Sequence, residues 1–190
     1  LRMTENPAVA AATGPLPPAA FLALSGGGDN GAFAAGSLNG WTAAGNRPQF
    51  KLVTGISTGA LIAPFAFVGG AKHDQALRDF YTGVTSKDVL EARSILAALT
   101  NDAMADNAPL RRLVGRVMTA ELMQEIAAEH AKGRVLLIGT TNLDARRGVI
   151  WNLTKIAASG HPNSLQLIQD LMVASAAIPG GFPPMMIDVE

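Results

Sequence analysis

The chain has 190 residues, 15 basic against 15 acidic side chains, and no cysteine. The lack of cysteine excludes a disulfide scaffold, a thiolate zinc site and a cysteine nucleophile, and the zero formal net charge argues against a nucleic-acid binder. Because 48% of the residues are hydrophobic and 16% are charged, against roughly 25% charged in an average domain, we expect a folded domain with a sizeable core.

The first 19 residues are predicted to form a flexible or extended leader. Four prolines interrupt this segment, at Pro7, Pro15, Pro17 and Pro18, and they are incompatible with a regular helix. A membrane span is also excluded here, because it needs about 20 uninterrupted apolar residues. Since the sequence begins with Leu1 rather than Met, we expect a processed product or a trimmed fragment.

Two strand–turn–helix units open the predicted fold. In each unit a short apolar strand runs into a glycine-rich turn, and a helix rich in small and apolar residues follows. The predicted strands cover residues 21–24 and 50–54. The predicted buried helices cover residues 31–44 and 60–68, and the second is expected to be interrupted or kinked near Pro64. A strand followed by a helix twice in succession implies parallel pairing, so the fold class is α/β.

The middle of the chain is more highly charged, and its apolar residues recur at helical spacing. We predict four helices here, over residues 73–81, 87–99, 109–118 and 119–132. The basic residues Arg111, Arg112 and Arg116 could contact a membrane surface, although a solvated helix face is the favoured explanation.

The last third of the chain returns to strands. Residues 134–139 and 148–153 are predicted strands that could pair across the turn at 144–147. An amphipathic helix is predicted over residues 163–177, and a final strand over residues 185–187.

The glycine turn after the first strand has two possible chemical uses. Gly26-x-Gly28-x-x-Gly31 fits the dinucleotide fingerprint, but no acidic residue lies between Asp29 and Asp74 to hold a ribose, which counts against a nicotinamide site. The other use is an oxyanion hole, because three glycines in a row let backbone N–H groups point into one space, beside the positive end of a helix. This motif alone does not choose between these uses and an ordinary tight turn.

The second turn is Gly55-Ile56-Ser57-Thr58-Gly59. Glycines on both sides let a strand turn sharply into a helix and leave the serine exposed at the tip. The predicted strand before this motif and the predicted helix after it are the context that such an elbow needs. We therefore predict that Ser57 is a nucleophile rather than a simple turn serine.

A serine nucleophile needs a base. His161 follows Ser57 in the order of an α/β-hydrolase, with Asp144 as a possible third member, but no local signature supports this assignment. The other two histidines, His73 and His130, lie in charged helical stretches and are interpreted as surface residues.

The order of the motifs resembles the patatin-like phospholipases, in particular bacterial patatin-like lipid acyl hydrolases. The glycine turn at Gly26, the elbow at Ser57 and the segment Ala174–Pro184 match three family motifs in the family's order. The resemblance implies a catalytic domain over residues 20–190, with a three-layer fold in which a central, mostly parallel sheet is flanked by helices.

The resemblance also implies an activity, that of a phospholipase A-type hydrolase with a Ser–Asp dyad. Ser57 would be the nucleophile, and the backbone N–H groups of Gly26, Gly27 and Gly28 would form the oxyanion hole. No metal or organic cofactor is implied. The substrate would be a phospholipid or another acyl ester, reached through a transient contact with a membrane surface. Both the bacterial cytoplasm and the cell envelope or exterior stay open as locations.

The sequence departs from the family pattern at two places. Asn30 stands where many members carry a basic residue. The family's aspartate lies in an Asp-Gly-Gly or Asp-Gly-Ala motif, whereas this sequence has no Asp-Gly pair, and Asp188 is followed by Val189. We therefore expect the aspartate to lie beyond Glu190 and residues 1–190 alone to be inactive. A Ser–His–Asp esterase and a catalytically incomplete lipid-binding protein stay open as alternatives.

Overall fold

The computed structural model describes residues 18–82, 107–177 and 182–188. Most of the predicted leader, and the predicted helix over 87–99, lie outside these ranges. The described residues form a four-stranded sheet in the spatial order β1-β2-β3-β4. The strands are β1 (Ala20–Leu24), β2 (Phe50–Gly55), β3 (Val135–Asn142) and β4 (Arg147–Asn152).

The sheet is mostly parallel, which confirms the predicted α/β class. β1 pairs with β2 and β2 with β3 in parallel, whereas β3 and β4 form the predicted antiparallel hairpin. At the end of β2, Gly55 lies opposite Leu24 on one side and Ile138 on the other. The carboxyl ends of β1 and β2 therefore meet where the elbow begins, beside the middle of β3, which continues to Asn142.

Seven helices flank this sheet within the described ranges. They are α1 (Gly31–Ala43), α2 (Thr58–Val68), α3 (Ala71–Thr82), α4 (Ala108–Val117), α5 (Ala120–Ala131), α6 (Leu153–Ala158) and α7 (Ser164–Ala176), and a single 3-10 turn, Gly28–Asn30, precedes α1. Helix α6 was not predicted. It has six residues, too few for an apolar period, and Asn152 caps it by accepting a hydrogen bond of 3.0 Å from the Lys155 N–H. No helix in the described ranges is long and apolar enough to cross a bilayer.

Helix α2 is the centre of the core. All of its residues from Thr58 to Phe67 are buried, and it contacts the three parallel strands and helices α1, α3, α5 and α7. Pro64 does not interrupt it. A helix that is apolar all round is expected to lie inside the protein, and this position fixes where its first turn begins.

Two other predictions about these elements are wrong. Helix α1 was expected to be buried, but only Gly31, Ala35 and Leu38 are buried in it, and Phe33 is 80% exposed. The final strand over residues 185–187 is not formed. Its segment runs beside the start of α4 instead, where the Asn107 side chain donates to the Pro183 carbonyl at 3.0 Å. Both segments are apolar in composition, but composition does not show which part of the protein each segment packs against.

The carboxyl end of α2 is capped by two arginines. Arg47 donates to the Ala66 carbonyl at 3.0 Å, and Arg134 donates to the Phe67 carbonyl. Cations at this end complement the negative pole of the helix. Arg134 is 4% exposed and also pairs with Glu129 at 2.7 Å. Arg47 pairs in the same way with Asp74 of α3. Each arginine therefore both caps the helix and forms a largely buried ion pair.

The Glu129 carboxylate is held in its charged form. Burial would raise its pKa, but hydrogen bonds from Lys132 and Arg134 outweigh this effect and keep the pKa below its ordinary value. A lowered pKa means that the pair stabilises the folded state above the ordinary pKa of glutamate. This stability is lost as the pH falls through the lowered value.

Replacing Arg134 by alanine is predicted to lower the free energy of unfolding by about 3–5 kcal/mol. The change leaves the Glu129 carboxylate with Lys132 alone as its cationic partner and removes the guanidinium from the carbonyls of Phe50 and Phe67. Chemical denaturation measures the loss. The control is Arg111→Ala, which removes a pair with Asp170 whose arginine side chain is 44% exposed, and it should cost less than about 1 kcal/mol. Equal, small losses in both variants would contradict a buried cap.

Candidate active site

Ser57 lies in a strained backbone conformation between β2 and α2. Its φ is +56° and its ψ is −124°. Residues other than glycine rarely adopt a positive φ. Such a conformation costs on the order of 1–3 kcal/mol and persists only where the surroundings enforce it. In α/β-hydrolases this geometry places a nucleophilic serine at the tip of an elbow. The local structure predicted for this motif, a strand followed by a sharp turn into a helix, is confirmed. The predicted exposure of the serine is wrong, because Ser57 is half-buried between the elements that pack around the turn.

The two glycines of the elbow are required by close packing. A Cβ on Gly59 would lie 2.4 Å from the Leu24 carbonyl oxygen, and a Cβ on Gly55 would lie 2.4 Å from the Gly59 carbonyl oxygen. Any side chain at either position would therefore push β1, β2 and the first turn of α2 apart. This crowding is the physical reason for the spacing of the motif.

The glycine turn after β1 lies directly against the candidate nucleophile. A Cβ on Gly26 would be 3.0 Å from the Ser57 Cβ and 3.6 Å from the Ser57 Oγ. Gly27 and Gly28 have φ values of +151° and +54°, which glycine adopts without strain. The fold thus brings together the four residues predicted for the site, and their catalytic roles stay predictions.

The amino ends of α1 and α2 meet beside this turn. A Cβ on Gly31, the first residue of α1, would lie 2.4 Å from the Oγ1 of Thr58, the first residue of α2. The amino end of each helix carries a partial positive charge. Two such ends side by side favour negative charge next to Ser57, which is the electrostatic requirement of an oxyanion hole.

Tyr81 joins this cluster, although no sequence motif includes it. Its hydroxyl is 3.0 Å from the Thr58 Oγ1, and a Cβ on Gly31 would be 2.3 Å from the same hydroxyl. Burial raises the pKa of Tyr81, and the hydrogen bond to Thr58 opposes that rise in part. The phenol is therefore a neutral group that fixes the start of α2.

A second serine contacts the elbow from the far end of the sequence. The Ser57 N–H donates to the Ser175 Oγ at 2.9 Å, and the Ser175 hydroxyl donates to the Gly139 carbonyl at 2.7 Å. Ser175 lies in the last turn of α7, within the third motif on which the family resemblance rests. That segment matches a family motif, but no function was predicted for Ser175.

The structure does not bring His161 to Ser57. His161 precedes the amino end of α7, whereas Ser175 lies at the carboxyl end of that helix, so about 16 Å of helix separates the two ends. The His161 Nδ1 also accepts a hydrogen bond of 3.2 Å from the Asn163 N–H. Asp144 is exposed in the turn between β3 and β4.

Asp188 and the other two histidines differ in how far they are exposed to solvent. Asp188 is exposed. The interpretation of His73 as a surface residue is wrong, because it is 6% exposed and its Nε2 contacts Glu125. His73 is buried because α3 packs on α2. The number of charged residues along α3 does not indicate this contact. His130 is half-buried. In the described ranges no cluster of three or more residues could hold a metal ion.

Comparison with known proteins adds the last observation. The family model described as patatin-like phospholipase matches residues 22–190. None of the curated proteins compared with the chain matches it significantly. The family match runs from β1 through the glycine turn, the elbow and the segment after α7, and it supports lipid acyl hydrolysis as the general class of activity. The chain therefore belongs to the patatin-like phospholipase family.

Proposed function

We propose that this protein is a serine hydrolase that cleaves lipid acyl esters through an acyl-Ser57 intermediate. The observation that carries the proposal is the strained backbone of Ser57 with Gly26 packed against its side chain. Backbone strain of this kind is concentrated at functional sites, because it is maintained only when the surrounding structure enforces it. A lipid-binding protein without catalysis would not need it.

The proposed reaction has two steps. In the first, the Ser57 Oγ attacks the ester carbonyl carbon and gives its proton to a base, and the carbonyl oxygen becomes an oxyanion. N–H groups of the turn at Gly26, Gly27 and Gly28 and the amino ends of α1 and α2 stabilise that charge. The tetrahedral intermediate then expels the alcohol, which takes the proton. In the second step, a water activated by the same base releases the fatty acid and regenerates Ser57.

The proposed base is an aspartate, as the family resemblance implies. Residues 1–190 contain no Asp-Gly pair, so we propose that this aspartate lies outside them. A carboxylate has a reference pKa of about 3.9 and is a weak base toward serine unless desolvation raises that value. The exposed Asp188 does not meet this condition.

Two exposed apolar side chains, one in the elbow and one after the glycine turn, support a lipid substrate. Ile56 precedes the nucleophile and is 56% exposed, and Phe33 lies in the first turn of α1, next to the glycine turn. Apolar side chains that flank a nucleophile can contact an acyl chain or the surface of a membrane. We therefore propose a phospholipid or a related acyl ester as substrate, with transient contact to the lipid surface.

Ser57→Ala is predicted to abolish ester hydrolysis and labelling by a fluorophosphonate probe in the full-length protein, with a loss of at least about 1,000-fold in kcat, because no other group forms the acyl intermediate. The matched control is Ser37→Ala, an exposed serine of α1, which should label like the wild type. Labelling that persists in Ser57→Ala would exclude Ser57 as the nucleophile.

Gly26→Ala is predicted to lower kcat by about 100-fold, because its Cβ would lie 3.0 Å from the Ser57 Cβ and displace the turn or the nucleophile. Gly36→Ala is the matched control, since a Cβ at that helical position meets nothing within 4 Å. It should keep full activity and raise the free energy of unfolding by roughly 0.5–1 kcal/mol. Similar activities in the two variants would argue against an oxyanion turn at Gly26.

His161→Ala is predicted to change kcat/KM by less than about twofold, because His161 lies at the end of α7 that is remote from Ser57. Steady-state hydrolysis of a short-chain ester measures the change. A loss of 100-fold or more in folded protein would favour the Ser–His–Asp esterase instead.

A further inference from the structure

We propose that Ser175 is a positioning residue, which fixes the backbone of Ser57 through a hydrogen-bond relay from β3. This inference rests on the proposed function, because it concerns the orientation of the proposed nucleophile. The relay runs from the Ser57 N–H to the Ser175 Oγ at 2.9 Å and from that hydroxyl to the Gly139 carbonyl at 2.7 Å. It joins the elbow, the last turn of α7 and strand β3.

The direction of the relay follows from the chemistry of a hydroxyl group. A serine hydroxyl has one hydrogen to donate and two lone pairs that accept. The Gly139 carbonyl can only accept, so it receives the hydroxyl hydrogen of Ser175. The lone pairs are then free to accept from the Ser57 N–H, which can only donate. Neither bond has an alternative direction, so the relay fixes a single arrangement.

The elbow needs this support because Ser57 is strained. Three backbone hydrogen bonds hold the peptide groups around it, from Ile56 N–H to the Leu24 carbonyl at 3.2 Å, from Gly59 N–H to the Ile56 carbonyl at 2.9 Å and from Ala60 N–H to the Ser57 carbonyl at 2.8 Å. None of these three binds the Ser57 N–H. Ser175 binds it, and so adds a second restraint to the peptide unit between Ile56 and Ser57, whose carbonyl Gly59 already binds. Rotation of this unit would swing the Ser57 Oγ.

Close packing lets β3 take part. A Cβ on Gly139 would lie 3.1 Å from the Ile56 Cγ1, so the absence of a side chain brings this part of β3 against the residue before the nucleophile. The Gly139 carbonyl and the Ser57 N–H are then close enough for one small hydroxyl to bind both. Alanine at position 175 would leave both backbone groups without this partner.

A purely structural role for Ser175 predicts different kinetics. If the hydroxyl only attached α7 to β3, its removal would lower stability while each folded molecule would keep its rate of acylation. If the hydroxyl positions the nucleophile, its removal lowers the rate of the chemical step in folded protein and leaves substrate binding unchanged. The maximal rate of fluorophosphonate labelling, separated from the apparent affinity for the probe, distinguishes the two roles.

The experiment compares Ser175→Ala and Ser175→Cys with wild type in the full-length protein, counting folded molecules only. We expect the maximal labelling rate to fall by about 10–100-fold in both variants, because the thiol is a weak acceptor and a misplaced nucleophile reacts slowly. The apparent affinity for the probe should stay within about twofold. The matched control is Ser164→Ala, a buried serine at the other end of α7 whose Oγ lies 2.9 Å from the Ser159 Oγ. It should lose stability but label at the wild-type rate.

The outcomes separate this inference from the proposed function. If the wild type itself is not labelled at Ser57, the proposed function fails and the positioning role fails with it. If the wild type is labelled and either Ser175 variant reacts at the wild-type rate, or both are affected only in affinity, the positioning role is overturned while the nucleophile stands. Should Ser175→Ala not fold, the result for Ser175→Cys applies alone.

Discussion

The positive φ of Ser57 explains why the elements around this site pack as closely as they do. An L-residue held at +56° relaxes unless neighbouring groups forbid it, and here they do so by contact. Gly55 and Gly59 leave no space between β1, β2 and α2, and hydrogen bonds hold the peptide groups on both sides of Ser57. Each element that carries a family motif contributes to this restraint. The residues of the three motifs therefore act together to hold one backbone torsion angle, the φ of Ser57.

Helix α2 gives that unit a rigid base and a favourable electrostatic field. Its burial fixes the position of its first turn, because a displacement of the helix would disturb packing on every side. Its amino end lies at Ser57, and Arg47 and Arg134 bind its last carbonyls. The arginines neutralise the negative pole within the core, while the positive pole stays open toward the site. The amino end of α1, which meets that of α2 at Thr58, adds a second positive pole.

The features predicted correctly from the sequence are those that depend on residues close together in the chain. The two strand–turn–helix units and the sharp turn at Ser57 follow from residues within a few positions of one another, because glycine spacing and apolar runs report local geometry. Contacts between distant segments were missed. Ser175 lies 118 residues from Ser57, Tyr81 reaches Thr58 from another helix, and the burial of His73 depends on the packing of α3 against α2. The residue pattern within one helix or strand does not show which distant segment packs against it.

The orientation of α7 connects these observations with the choice of base. A general base must come within hydrogen-bond reach of the Ser57 Oγ. Because the carboxyl end of α7 is bonded to the elbow through Ser175, the amino end, where His161 lies, is directed away from it by the length of the helix. The same bond that supports the proposed nucleophile therefore keeps this histidine away from it. Because this bond uses the backbone N–H of Ser57, it leaves the Ser57 Oγ available to a carboxylate, as the proposed Ser–Asp dyad requires.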